Sequence, residues 1–123
     1  MKYLIMLYGN PEFQAVWDEW SEAQRAEAVR FHAQLDEDLA ASGELVVSEA
    51  LADPTQGKRV SVRNGGTTAT DGPFPEVKEH LAGFYLVDCE SMDRAVEYAA
   101  RLPEATYGMV EVRPILDLGT LGL

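Results

Sequence analysis

Two histidines, one cysteine and 21 carboxylates are the side chains of this 123-residue chain from which a reaction could be built. His32 lies in the run Ala23 to Ala41, where Ala28, His32, Leu35 and Leu39 recur at helical spacing, so its imidazole faces the core side of a helix. An inward imidazole needs a partner. One reading is structural, with the ring bonded to a backbone carbonyl or to Asp36, its i+4 neighbour. The other is a general acid/base facing a pocket between helix and sheet, since imidazole as a residue type exchanges protons near neutral pH. Asp71 precedes Gly72-Pro73, where an aspartate either folds back onto main-chain N–H groups or, from a sheet end, orients His32 or a substrate.

Lys78 and Glu79 are adjacent, so in extended chain they face opposite ways and reach different partners. Together with Arg113 they are candidates for substrate binding, Lys78 or Arg113 taking an anionic group; the competing role for all three is exposed charge or a surface salt bridge. His80 beside Glu79 has no third ligand at suitable spacing, and two histidines with one thiol do not make the usual structural zinc set, so no metal or cofactor is expected. Cys89 has no cationic neighbours to lower its pKa and is not expected to act as a nucleophile. With a single cysteine there is no internal disulfide, which fits a reducing compartment.

A net charge of −11 opposes the phosphate field of nucleic acids and anionic membrane surfaces. Phe13, Trp17 and Trp20 carry no interleaved basic residues, so they read as core or pocket wall, not as a base-stacking platform. The apolar run Tyr3 to Tyr8 stops at Gly9-Asn10-Pro11, too short for an export signal or a bilayer span; it reads as a buried strand of a cytoplasmic protein.

The elements that must position these residues follow from period and punctuation. Residues 2–8 are apolar on both alternating sets, as in a central strand covered on both faces. Asn10-Pro11 starts a short helix or turn, and Ser21 with Gln24 forms a capping box for the long helix closed by Ser42-Gly43. Glu44 to Leu51 and Lys58 to Arg63 read as strands, and Asn64-Gly65-Gly66 as the hairpin turn before Thr67 to Thr70, giving a β-meander. Asp71-Gly72-Pro73-Phe74-Pro75 breaks the ladder, and Ala82 to Val87 re-enters the sheet. Ser91 caps a helix whose Met92, Ala95, Val96, Ala99 and Leu102 form one stripe, ended by Pro103; Met109 to Arg113 is the last strand. The order is that of a single α+β domain over 1–123, a ferredoxin-like split βαβ with an inserted β-hairpin. Both helices then lie on one sheet face, and the apolar opposite face calls for a second copy, hence a homodimer.

Asp71-Gly72-Pro73-Phe74, Lys78-Glu79, Gly83-Phe84-Tyr85 and Val110-Glu111-Val112-Arg113-Pro114 resemble the DGPF-motif branch of the YCII-related proteins over nearly the whole length. The resemblance implies a dimeric α/β barrel related in shape to muconolactone isomerases. It also implies a histidine–aspartate catalytic pair, for which His32 and Asp71 are the best-matching positions. Where the YCII branch has an Asp-Pro pair after its second helix, this chain has Leu102-Pro103-Glu104-Ala105. Two functions remain open: a small-molecule acid/base enzyme of isomerase or lyase type, or a non-catalytic ligand-binding or regulatory dimer with a protein partner. Convergence of His32 and Asp71 on one solvent-open cavity separates them.

Overall fold

A computed structural model describes residues 1–74 and 78–122. In chain order the elements are β1 (Lys2–Gly9), α1 (Pro11–Glu19), α2 (Glu22–Ser42), β2 (Leu45–Ala50), β3 (Lys58–Arg63), β4 (Gly66–Asp71), β5 (His80–Asp88), α3 (Met92–Ala99) and β6 (Val110–Pro114). Three short 3₁₀ turns, Pro54–Gln56, Pro103–Tyr107 and Leu118–Leu121, complete them. This is the anticipated ferredoxin-like order. The main sheet runs β2-β5-β1-β6 with antiparallel neighbours throughout.

β1 is central and two-sided, as its sequence requires. Tyr3, Ile5 and Leu7 enter the core with Val87 of β5, Leu35 and Leu39 of α2, and Ala95 and Tyr98 of α3. Sealing Leu35 and Leu39 completely is what ties α2 to the sheet, each such side chain contributing about 1.5–3 kcal/mol. α2 begins with the Ser21–Gln24 capping box and ends at Gly43, whose φ of 79° is the left-handed conformation that glycine adopts without a Cβ clash. Among the described residues no helix is long and apolar enough to cross a membrane.

Two local expectations change. Among the described residues β3 and β4 pair only with each other, so the hairpin is a separate two-stranded arm and the meander is not continuous. The chain leaves the sheet after β2 through the Pro54–Gln56 turn, capped by the Asp53 carboxylate on the Thr55 N–H at 2.9 Å, while β2 takes β5 as its partner. Asn64 and Gly65 both have positive φ, 50° and 77°, as a two-residue hairpin turn demands. In α3 the buried stripe is Ala95, Tyr98 and Ala99, whereas Val96 is 47% exposed. Tyr98 wins the inward place because its hydroxyl donates to the Glu44 carboxylate and accepts from Arg94 at 2.7 Å.

That cluster carries a stability prediction. The Tyr98 hydrogen bond, opposed by partial burial and aided by Ser42 and Arg94, holds the Glu44 carboxyl below its ordinary value of 4.5. A depressed carboxyl contributes stability that is complete above its unfolded value and disappears as pH falls through the folded one. Tyr98→Phe is expected to cost about 1 kcal/mol at neutral pH and to raise the pH of acid unfolding. A melt series from neutral to pH 3 checks both.

Candidate functional site

Small residues on the sheet floor make room for a cavity. On the helix-facing side of β1, β5 and β2 the positions are Gly9, Gly83 and Ala50, with Gly9 paired to His80 and Gly83 paired to both Leu7 and Ala50. A Cβ on Gly83 would stand 2.9 Å from the Glu49 carbonyl oxygen, so this close strand contact admits only glycine. With Gly83 and Ala50 leaving the floor low and the His80 ring lying over Gly9, α1 and α2 roof a solvent-open space of about 520 Å³. Phe13 and Trp17 of α1, Val29 and His32 of α2, and Tyr85 and His80 of β5 are among its walls.

α1 is placed by local chemistry. The Asn10 side chain accepts from the Phe13 N–H at 2.7 Å, Pro11 opens the helix, and Arg25 of α2 donates to the Trp17 carbonyl at 3.0 Å and the Asp18 carbonyl at 2.9 Å. The helix has no buried residue, so its aromatic face is spent on the cavity and on Tyr107, whose ring meets Phe13 edge-on at 5.3 Å.

His32 is held at both ring nitrogens. Nε2 lies 2.5 and 3.0 Å from the two Glu104 oxygens, and Nδ1 lies 2.7 Å from the Tyr85 hydroxyl. An ionised carboxylate only accepts, so Nε2 carries the proton and, in the neutral ring, Nδ1 accepts from Tyr85. The imidazole and phenol rings are parallel within 9°. Burial, reinforced by the Asp36 and Glu104 charges, pushes the Tyr85 hydroxyl well above its ordinary value, so it remains a donor. It has a second acceptor in the His32 carbonyl at 3.5 Å. Beside this chain Ser48 donates to Asp36 at 2.7 Å. The side chains of His32 and Glu104 are 28% and 13% exposed, so the pair borders solvent.

The other anticipated residues lie elsewhere. Asp71 ends β4, exposed, with its carboxylate on Lys58 at 3.1 Å, and it does not line the cavity. The His32–Asp71 pairing is therefore not formed within the chain: the carboxylate on His32 is Glu104, and Asp36 is engaged by Ser48. Lys78 and Glu79 are exposed and outside the lining. Arg113 lies on the opposite sheet face, where it grips Glu111 at 2.7 and 2.9 Å, and Glu111 accepts from Tyr8 at 2.9 Å. Neither cation reaches the cavity, so neither is placed for the anion binding expected of it.

The Gly72-Pro73-Phe74 part of the motif is structural in what it touches. A Cβ on Gly72 would stand 2.1 Å from the Pro54 carbonyl oxygen, and Arg59 lies over the Phe74 ring at 4.3 Å. Pro73 and Phe74 do line a second space of about 260 Å³ that shares Gln14 and His80 with the first. Pro75 lies outside the described residues. Cys89 is buried, and burial pushes its thiol up, away from nucleophilic use. Among the described residues no group of three or more histidines, cysteines, aspartates or glutamates is placed to hold a metal ion.

Glu104 was the missed residue. It sits in the Pro103–Tyr107 turn, 72 positions from His32, and its only signal was that Leu102-Pro103-Glu104-Ala105 stands where the resembled branch has Asp-Pro.

Three comparisons bear on this geometry. The chain is 32% identical over 117 residues, 94% of its length and 92% of the relative's, to the uncharacterized protein R00369 of Rhizobium meliloti strain 1021. Its fold is similar to the 5-chloro-2-hydroxyhydroquinone dehydrochlorinase TftG of Burkholderia phenoliruptrix AC1100, solved with 2,5-dihydroxybenzoquinone. That match has a TM-score of 0.51 and 16% identity and covers 94% of both chains. The model of the YCII-related domain matches residues 1–119, and the chain belongs to the YCII-related family.

Proposed function

We propose that this protein is a proton-transfer enzyme of isomerase or lyase type acting on a small cyclic molecule, with His32 as acid/base and Glu104 as the carboxylate that orients it. The observation that carries the reading is a histidine fixed between a carboxylate and a phenol in the wall of a solvent-open cavity. Tyr85 can leave Nδ1 for the His32 carbonyl without losing its last acceptor, which frees the ring nitrogen for a substrate proton. Glu104 then faces an imidazolium and stabilises it. The dehydrochlorinase named above supports a lyase on a ring substrate as one form of this chemistry. Asp71 stands apart from His32, which by the convergence criterion favours the ligand-binding alternative, and the acid/base reading rests on Glu104 instead. A panel of hydroxylated aromatic and enolisable ring compounds in D2O tests it: deuterium should enter carbon positions of at least one compound faster with protein than without. No incorporation across the panel would favour a ligand-binding role.

The uncovered sheet face supports a homodimer. Leu4, Phe84 and Leu86 are half-buried there and Val47 is 37% exposed, with no helix of the described residues above them.

A further inference from the structure

We infer that the cavity takes an uncharged, planar, hydroxyl-bearing ring and discriminates against carboxylates and phosphates. The inference rests on the cavity being the functional site. Among its described lining residues there is no lysine or arginine, whereas the acids Asp36 and Glu104 are present; Glu49, paired with Phe84, is on the opposite sheet face. The guanidinium nearest to α1, on Arg25, stacks at 5.7 Å from the Trp17 ring centroid and donates to two backbone carbonyls, so it is committed to holding the helix. An anionic group entering here meets carboxylates and no lysine or arginine, in a chain whose net charge is already −11.

The two acids are themselves held, Glu104 with both oxygens within 3.0 Å of His32 Nε2 and Asp36 by the Ser48 hydroxyl. A neutral ring is different. Phe13 and Trp17 supply aromatic wall, and a ring hydroxyl can donate to Nδ1 of His32 in place of Tyr85. The charge of the site thus sets its specificity, while the glycine floor sets its size.

The test uses two near-isosteric probes, p-hydroxybenzyl alcohol and p-hydroxybenzoate, followed by the shift of the Trp17 indole N–H in wild-type protein. The alcohol should bind at least tenfold more tightly than the carboxylate. Val29 lines the cavity and is 59% exposed, so Val29→Arg should fold normally and raise p-hydroxybenzoate affinity at least tenfold. Equal or tighter binding of the carboxylate to wild type would overturn the inference. So would an unchanged carboxylate affinity in Val29→Arg, or no Trp17 shift with any probe at millimolar concentration. Binding is read without turnover, so a charge preference that fails while deuterium incorporation persists separates this inference from the proposed reaction.

Discussion

His32→Ala is expected to reduce deuterium incorporation by about 10²-fold or more while lowering the melting temperature only a few degrees. The activity loss follows from removing the proton carrier, whose class of contribution is about 10²–10⁴-fold. The small stability loss follows from what remains. His32 is partly exposed on a cavity wall, so water can replace the ring beside Glu104, which is itself at the cavity. Tyr85 keeps the backbone carbonyl of residue 32 as an acceptor after the substitution. The net cost should therefore be about 1 kcal/mol, which for a domain of this size is about 3–6 °C. A fall of more than ten degrees with activity retained would assign the histidine to structure.

The second large effect concerns the open sheet face. Leu86 sits at its centre, opposite Leu4 on β1 and Val47 on β2. Leu86→Glu would put a charge at the heart of an apolar interface while leaving the helix-side core, built on Tyr85 and Val87, in place. Wild-type protein at micromolar concentration should scatter as twice the 13.6 kDa chain, and Leu86→Glu as a single chain that retains its helical circular dichroism. A wild-type monomer would remove the dimer.

Period and punctuation carried the fold. The two-sided strand read at residues 2–8, which runs one residue further to Gly9, the Ser21 capping box, and the turn read at Asn64-Gly65-Gly66, whose Gly66 opens β4, each depend on neighbours in sequence. The departures are tertiary. Whether a hairpin extends the sheet or stands apart depends on which strand β2 pairs with, and Val96 yielded to Tyr98 because a polar partner 54 positions away was waiting. The candidate site was half legible. Helical spacing turned His32 inward, and Phe13 and Trp17 read as wall, but the carboxylate came from a turn that periodicity cannot see. A motif aspartate was the natural guess. Asp71 sits next to a glycine and a proline whose contacts hold a loop, so that motif reports packing as much as chemistry.

The identity of the carboxylate that serves His32 is the point on which the proposed reaction turns, and deuterium incorporation in Glu104→Gln and Asp71→Asn compares the two candidates directly. Glutamine keeps an acceptor for Nε2–H but loses the charge that stabilises the imidazolium, so the rate should fall by about tenfold or more with folding intact. Asp71→Asn removes only an exposed ion pair with Lys58, and its rate should stay within about twofold of wild type. An inactive Asp71→Asn beside a fully active Glu104→Gln would contradict the assignment of His32 and Glu104 as the working pair.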